Sequence, residues 1–385
     1  MIKVKNPLHP IKNGGFIFMD VLFNPLLSLF DNPKLVVMWL IGATLIFLAI
    51  KKEMEPTLLL PMGFGAILVN LPESGAKSVI DALFSIGIEF HELFPLILFI
   101  GIGAMIDFEP LLSNPKLMFF GAAAQFGIFF TLGAASLFGF APNDAASIAI
   151  IGAADGPTAI FVAQTLKSNF LPAIMVAAYS YMALVPLVQP PIIKLCTTKA
   201  ERKIKMAYVG KKVSKTTKIL FPIVITMIVG VVAPDSVALI GFLMFGNLIR
   251  ECGVLNSLSE TAQNALANLI TIFLGITIAS RMTADEFLRG ETLLIMGLGL
   301  VAFVFDTFGG IMLAKLMNLF TKKNKINPMI GAAGISAFPM SARVVHKLGL
   351  EEDNQNFLLM HSIGVNVSGQ IASVIAGGLI LAFYR

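Results

Sequence analysis

Residues 152–159 have the sequence Gly-Ala-Ala-Asp-Gly-Pro-Thr-Ala and lie inside an apolar run from residue 145 to residue 163. The run is long enough for a membrane helix, yet it places the carboxylate of Asp155 next to Gly156 and Pro157. A charged side chain at membrane depth costs about 2.5 kcal/mol or more and usually marks an ion or proton path. Gly and Pro free backbone carbonyls, which are tolerated at that depth only where they line a protein cavity. The stretch therefore predicts a broken membrane helix around a cation site.

The composition of the 385-residue chain is that of a membrane protein. Hydrophobic residues make up 56% of the sequence and charged residues 13%, against roughly 25% charged residues in soluble domains. The net charge of +5 does not indicate nucleic-acid binding, because the basic residues cluster in loops between apolar runs. Cys196 and Cys252 have neither metal-ligand spacing nor a disulfide pattern. We predict an all-α polytopic protein of the lipid bilayer that binds no nucleic acid.

Apolar segments along the chain predict membrane helices, and several of these segments are too short to cross a bilayer alone. A hydrocarbon core about 30 Å thick requires about 20 helical residues. Residues 1–34 lack a cleavable signal, and we predict an interfacial or re-entrant segment there, with a short tilted span as the alternative. The candidate membrane segments are residues 35–50, 57–71, 93–106, 116–140, 145–164, 171–195, 219–233, 236–249, 265–279, 292–320, 327–339 and 356–383.

Similar short motifs follow one another in the same order in the two halves of the chain. Interrupted apolar segments at corresponding positions of two halves are typical of transporters built from inverted repeats. We predict a first repeat at residues 35–193 and a second at residues 219–385, both with broken or re-entrant helices. The matching pairs are residues 62–65 and 243–246, 99–103 and 273–277, 107–109 and 285–287, and 152–157 and 327–334.

The connector between the two repeats, residues 194–218, is the most basic part of the sequence. It contains a single acidic residue, Glu201, so the positive-inside rule predicts a cytoplasmic location. One interpretation is a solvated loop without a partner; the other is a docking surface for a soluble acidic protein. The basic residues are Lys194, Lys199, Arg202, Lys203, Lys205, Lys211, Lys212, Lys215 and Lys218.

Asp155 is the first candidate ligand for a cation. Its structural alternative is an ion pair, but no Lys or Arg lies between Lys116 and Lys167. A carboxylate with carbonyl and hydroxyl oxygens suits a hard ion such as Na⁺, and a buried carboxyl can also carry a proton. Asp306 is a weaker candidate for the same path.

Two tyrosines in the following span, Tyr179 and Tyr181, point to different faces of a helix because they are two residues apart. A tyrosine hydroxyl in hydrocarbon needs a hydrogen-bond partner. Tyr181 lies near the middle of its span, so we predict that it faces the site. The alternative is that it anchors the helix at the membrane interface.

The second broken segment carries neutral polar residues. Asn327-Pro328 opens it at the position that corresponds to Asp155, and Ser336 and Pro339 close it. Asn at a helix start is also an ordinary cap. Arg343 lies just beyond the segment. We expect its guanidinium either to bind a carboxylate with two hydrogen bonds or to extend to the membrane interface.

The last span has a stripe of small and polar residues on one helix face. Asn366 and Ser373 are seven residues apart and share that face with Gly369 and Gly377. Close helix packing explains the glycines. The amides of Asn366 and Gln370 are too costly in lipid, so this stripe must face protein or water.

Four motifs resemble the beta subunit of the sodium-ion-translocating, biotin-dependent decarboxylases, the family of the oxaloacetate, methylmalonyl-CoA and glutaconyl-CoA decarboxylases. They are Gly-Ala-Ala-Asp-Gly-Pro-Thr-Ala-Ile at residues 152–160, Ala-Tyr-Ser-Tyr-Met-Ala-Leu-Val-Pro at 178–186, Ile-Asn-Pro-Met-Ile-Gly-Ala-Ala-Gly at 326–334 and Asn-Phe-Leu-Leu-Met-His at 356–361. The resemblance extends over nearly the whole chain from about residue 35.

The resemblance implies a carboxybiotin decarboxylase that consumes a proton and exports Na⁺. It implies a homotrimer of inverted repeats, with a mobile core domain against a scaffold, in the bacterial cytoplasmic membrane. The implied partners are a carboxyltransferase, a biotin carrier with the carboxybiotin, and a small membrane gamma or delta subunit.

The resemblance also implies roles for particular residues. The implied ion and proton site contains Asp155, Tyr181, Asn366 and Ser373, a second part of the ion path contains Asn327, Gly331 and Ser336, and Arg343 contacts carboxybiotin. The competing function is a stand-alone sodium-coupled transporter or Na⁺/H⁺ exchanger. A purely structural anchor would not explain the buried Asp155, Asn327 and Asn366.

Overall fold

The computed structural model describes residues 29–207, 212–321 and 325–384, and this part of the chain contains helices and no strand. Seven of the described helices are long and apolar enough to cross a membrane, or eight if the bent pair Ala76–Glu89 and Leu93–Met105 forms one span. The predicted all-α membrane class is thereby confirmed. The predicted interfacial segment at residues 1–34 lies almost entirely outside the described residues.

The first half of the chain begins with two packed helices and ends with a long one. Its 3₁₀ turns are Pro115–Leu117 and Ile150–Ala153, and a π-helical turn, Ser85–Glu89, extends α3. The helices are α1 (Lys34–Lys51), α2 (Pro56–Val69), α3 (Ala76–Phe84), α4 (Leu93–Met105), α5 (Glu109–Ser113), α6 (Met118–Ala123), α7 (Phe126–Leu137), α8 (Pro142–Ala149), α9 (Gly156–Thr165), α10 (Leu171–Cys196) and α11 (Lys199–Arg202).

The second half repeats much of this order. Its 3₁₀ turns are Pro234–Ser236 and Pro328–Gly334, and its π-helical turn is Ala262–Leu266. The helices are α12 (Lys215–Val232), α13 (Val237–Glu251), α14 (Asn256–Thr261), α15 (Ala267–Ala279), α16 (Ala284–Phe287), α17 (Gly290–Phe320), α18 (Met340–Glu352) and α19 (Leu359–Tyr384).

The packing between the halves is reciprocal. Helix α4 of the first half packs on α13 of the second, and α15 of the second packs on α2 of the first. Where α4 crosses α13, Gly103 faces the carbonyl of Leu243 and Gly246 faces the carbonyl of Ile100, so neither glycine has room for a side chain. Likewise α10 packs on α17, and α19 packs on α6. This pattern is consistent with two repeats related by a pseudo-two-fold axis, and their inverted orientation stays a prediction.

The helices differ in how much protein covers them. Only 17% of the apolar window of α1 and 11% of that of α12 is buried, so the rest of the chain covers little of these first helices of each half. The corresponding values for α10 and α19 are 61% and 67%. The two last helices of the halves are therefore central, and the broken segments pack against them.

The described part of the connector is packed on the protein. Arg202 of α11 is 6% exposed, and ion pairs join the connector to the end of α18 and to Glu109. Helix α11 begins with a capping box in which Thr198 and Glu201 each bind the other's backbone N–H. Most of the described lysines of the connector remain exposed, so the solvated loop and the docking surface for an acidic protein both stay predictions.

Candidate functional site

The first broken segment changes direction at Ala154 and Asp155. Ala154 has a positive φ of 52°, which ends the 3₁₀ turn Ile150–Ala153. Asp155 is extended and caps α9, whose second residue is Pro157. Its Oδ1 accepts a hydrogen bond from the backbone N–H of Thr158 at 3.3 Å, and its Oδ2 accepts one from the Thr158 hydroxyl at 2.7 Å. The carboxylate thus lies at the positive end of a helix.

Ser373 of α19 also contacts this carboxylate. Its hydroxyl donates to Asp155 Oδ2 at 2.9 Å, so the predicted pair is brought together in the structure. Asp155 is 4% exposed and forms no ion pair within 4 Å among the described residues. A buried carboxylate with only hydroxyl and amide partners retains a negative charge that a cation or a proton can neutralise.

The second broken segment meets the first through Ser336. The backbone N–H of Ser336 donates to the carbonyl of Ala153 at 3.0 Å, and its hydroxyl donates to the carbonyl of Gly369 at 3.0 Å. The side-chain amide of Gln370 donates to the carbonyl of Ser336. The two breaks and the middle of α19 therefore form one connected polar region.

Asn366 supports the second break and leaves one oxygen without a partner. Its Nδ2 donates to the carbonyls of Ala333 at 3.1 Å and Ile335 at 2.7 Å. The buried Asn366 Oδ1 and Gln370 Oε1 accept no hydrogen bond in the described structure. An unpaired buried polar atom costs about 1–3 kcal/mol. Amide oxygens of this kind, together with a carboxylate, are ligands that suit a hard cation.

A cavity of about 180 Å³ opens beside the two breaks. The fully buried Tyr179 lines it, and its hydroxyl makes no hydrogen bond in the described structure. The ring of Tyr179 packs against Gly156, because a Cβ at Gly156 would lie 2.5 Å from Tyr179 Cζ. The cavity is lined by Glu55, Thr57, Leu58, Leu98, Ile102, Met105, Asp155, Pro157, Tyr179, Met182, Ala267, Asn268, Thr271, Leu274, Ser336, Phe338, Pro339 and Gln370.

Tyr181 lies on another face of α10 and does not line this cavity. Its hydroxyl donates to the carbonyl of Met296, and its ring packs against Gly299 of α17. The prediction that one tyrosine of the pair faces the site fits Tyr179 and not Tyr181. Position along the span was a poor guide, because which neighbours a helix face meets depends on the fold.

Asn327 and Gly331 also lie apart from the cavity lining. Asn327 accepts from the N–H of Met329 at 3.0 Å, and its Nδ2 donates to the carbonyls of Arg202 and Ile204, both at 2.9 Å. It is therefore a cap that binds the connector. Gly331 faces Gly310 of α17 so closely that a Cβ on either would overlap the other's carbonyl.

Arg343 lies in the first turn of α18 with an exposed side chain. Phe338 and Pro339, shortly before it, line the cavity together with Glu55, and the charge of Arg343 interacts with that of Glu55. Arg343 has no ion-pair partner within 4 Å in the described part of the chain. Its exposed guanidinium can therefore bind an incoming anion.

The candidate site thus combines a buried carboxylate without an ion-pair partner among the described residues, two interlocked helix breaks and a cavity lined by both halves. Residues 34–384 match the sequence family described as the Na⁺-transporting oxaloacetate decarboxylase beta subunit. The chain belongs to this family. The resemblance stated from the sequence motifs is thereby confirmed.

Curated relatives support membership in the beta-subunit family over almost the full length of the chain. The methylmalonyl-CoA decarboxylase subunit beta of Propionigenium modestum is 48% identical over 92% of this chain and 95% of the relative. The corresponding subunit of Veillonella parvula is 49% identical over 90% and 92%. The oxaloacetate decarboxylase beta chain of Klebsiella pneumoniae is 46% identical over 90% and 94%.

Three residues of the candidate site were not among those to which the sequence analysis gave a site role: Thr158, Tyr179 and Gln370. Thr158 has a recognisable signal, because an Asp followed three residues later by a hydroxyl at a helix start permits a local cap. Gln370 is one helical turn from both Asn366 and Ser373. Tyr179 had no such signal, since its place depends on how α10 packs.

Proposed function

We propose that this beta subunit decarboxylates carboxybiotin carried by a partner subunit, takes up a proton and exports Na⁺. Its membership of the Na⁺-transporting family and the lone carboxylate of Asp155 support this function. The relatives named for oxaloacetate and for methylmalonyl-CoA are almost equally similar to this chain. We therefore attribute the choice of acid to a separate carboxyltransferase subunit.

The proposed Na⁺ site contains Asp155, Ser373 and the free side-chain oxygens of Asn366 and Gln370. The single observation that carries it is the buried Asp155 carboxylate, which hydroxyl groups contact and no cation pairs. Na⁺ is the transported ion in this scheme. The described residues contain no cluster of three His, Cys, Asp or Glu side chains suited to a transition metal, which agrees with a site of mostly neutral oxygens.

Decarboxylation is linked to transport by competition at one carboxylate. When carboxybiotin loses CO₂, the N–C bond breaks and the biotin nitrogen must take up a proton. We assign that proton to Asp155, because a carboxylate that has given up its proton binds Na⁺, and one that regains a proton releases it. The acid–base step and the ion step therefore use the same side chain.

Arg343 contributes to the reaction at the cavity edge. Its guanidinium can bind the carboxylate of carboxybiotin with two parallel hydrogen bonds. The apolar wall, which includes Leu58, Leu98 and Met105, keeps bulk water away from the bound anion. Loss of CO₂ removes the negative charge, so a site with little water favours the neutral product.

The assignments of other predicted residues follow from their contacts. We assign Tyr179 to the cavity, whereas Tyr181 joins α10 to α17. We assign Asn327 and Gly331 to positioning the second break, because they contact the connector and α17. Ser336 joins the two breaks.

The proposed assembly is a homotrimer in the bacterial cytoplasmic membrane, with the connector on the cytoplasmic side. Its partners are a carboxyltransferase, a biotin carrier and a small membrane gamma or delta subunit. The basic connector suits a cytoplasmic location under the positive-inside rule. Copurification of biotinylated protein with the tagged chain in mild detergent tests this assembly.

The decisive experiment compares Asp155→Asn with Asp144→Asn in the assembled complex. Both aspartates are buried in the first half, but Asp144 binds the Ser168 hydroxyl and the Asn169 backbone in a loop. We expect Asp155→Asn to abolish sodium-dependent decarboxylation and Asp144→Asn to retain its sodium dependence. Full sodium-dependent turnover in Asp155→Asn would refute the proposal. Sodium transport by the purified chain in vesicles without carboxybiotin would favour the stand-alone transporter instead.

A further inference from the structure

Arg202 of the connector is a buried arginine outside the site described above. Its side chain is 7% exposed and its Nε donates to Glu352 Oε1 at 2.6 Å, at the end of α18. A terminal nitrogen of the same guanidinium donates to the carbonyl of Thr197 at 2.6 Å. The guanidinium holds the pKa of Glu352 below its ordinary value through this hydrogen bond. The two side chains therefore form an ion pair, and the hydrogen bonds to Glu352 and Thr197 fix the orientation of the Arg202 guanidinium.

The backbone carbonyl of Arg202 makes a second set of contacts. It accepts a hydrogen bond from Asn327 Nδ2 at 2.9 Å and one from Asn356 Nδ2 at 2.8 Å. Asn327 precedes the second break, and Asn356 follows α18. Glu352 is also at the end of α18, so both ends of residues 327–356 converge on one residue of the connector.

The segment held in this way contains the polar groups on the second side of the proposed site. Ser336 joins the two breaks near its middle, and Arg343 lies in the first turn of α18. Helix α18 has 13 residues, so the position of its end at Glu352 also sets the direction of the helix at Arg343.

We propose that Arg202 is a positioning residue that holds Arg343 in place for carboxybiotin by clamping both ends of residues 327–356. This inference rests on the proposed function of the site. The clamp is polar and lies beyond the end of α10, where the connector leaves the helix bundle. Glu352 is the side-chain contact that can be removed with the smallest change of shape.

The adjacent carboxylates of Glu352 and Asp353 provide a matched test. Both pair with the connector, but Asp353 pairs with Lys205, whose side chain is 50% exposed. Exposed ion pairs contribute little, whereas hydrogen bonds to buried charged groups contribute more. In the assembled complex we expect Glu352→Gln to lower the turnover number about tenfold. We expect Asp353→Asn to leave turnover within about twofold of the unchanged protein.

Two further measurements separate positioning from loss of folding. The sodium concentration for half-maximal turnover should stay within about twofold in Glu352→Gln, because the contacts of Asp155 are retained. Hydrogen exchange of the complex should increase in residues 327–356 and not in residues 142–165. Arg202→Lys keeps the charge but loses the fixed fork of donors, so its turnover should fall between the two variants.

Equal turnover in Glu352→Gln and Asp353→Asn would overturn the clamp, as would an equal rise of hydrogen exchange in both broken segments. These outcomes differ from failure of the proposed function. That failure would appear as sodium-dependent turnover in Asp155→Asn, whatever the Glu352 variants do.

Discussion

The two broken segments occupy corresponding positions in the halves but are built differently. The first has a carboxylate at its turn and the neutral hydroxyls of Thr158 and Ser373 around it. The second contributes backbone groups and the hydroxyl of Ser336. The end of α9 is held within the first half. Gln164 donates to the carbonyl of Glu89 at 2.8 Å, and Asn143 donates to the carbonyl of Leu166 at 3.3 Å. The end of α18 is held by the buried Arg202 contacts. The comparison teaches that the carboxylate of the proposed site belongs to the first segment, whereas attachment to the connector belongs to the second.

The largest expected difference between the segments is in activity. Asp155→Ala removes the only charged group of the proposed site, so turnover should fall about a hundredfold or more. Ser336→Ala removes one neutral hydroxyl and leaves its backbone N–H bonded to Ala153, so turnover should fall about fivefold. Steady-state decarboxylation at saturating Na⁺ measures both. An equal loss in the two variants would show that charge is not divided in this way.

Glycine substitutions test the anchorage of the second segment. A Cβ at Gly331 would overlap the carbonyl of Gly310, so Gly331→Ala should lower stability by about 1–3 kcal/mol. Gly297 of α17 has no atom within 4 Å of the added Cβ, and Gly297→Ala should leave stability unchanged or raise it. Thermal unfolding in detergent distinguishes them. A stable Gly331→Ala with an altered sodium dependence would instead place Gly331 in the ion path.

The two tyrosines of α10 allow a test of the first segment in which the expected effects are smaller. Tyr179→Phe removes a cavity hydroxyl that has no partner in the described structure, so the half-saturating sodium concentration should shift about threefold while stability is kept. Tyr181→Phe removes the hydrogen bond to Met296 and should lower stability by about 1 kcal/mol. Sodium titrations and thermal unfolding measure the two effects. An unshifted sodium titration in Tyr179→Phe would exclude this hydroxyl from the site.

The smallest expected effect concerns the ion pair between Lys218 of the connector and Glu109 of α5. The hydrogen bond from Lys218 lowers the pKa of Glu109 below its ordinary value. The pair therefore adds stability above the unfolded pKa of Glu109 and loses it as the pH falls through the folded pKa. Glu109→Gln should lower the free energy of unfolding at pH 7 by less than about 1 kcal/mol, because both side chains are partly exposed. The difference should vanish in acid, and a difference that persists there would have another cause.

The sequence predicted the class of fold and the centre of the site, because both depend on local signals. An isolated Asp beside Gly-Pro in an apolar run predicts a helix break whatever the surrounding fold. Ser373 shares a helix face with Asn366 because the two are seven residues apart. The choice between Tyr179 and Tyr181 depends on which helices flank α10, and no local pattern encodes that. The role of Asn327 was similarly hidden, since its partners, the carbonyls of Arg202 and Ile204, lie on the distant connector.

The hydrogen bond from Ser336 to Ala153 also bears on how the protein is made. The carbonyl at the first turn obtains this partner from a residue near the end of the chain. During synthesis the first half therefore enters the membrane with that turn incomplete, and the proposed ion site first exists after the second half has been inserted. Pumping competence is thus a property of the finished polypeptide, and a ribosome that stops between the halves leaves a membrane protein without a sodium pathway.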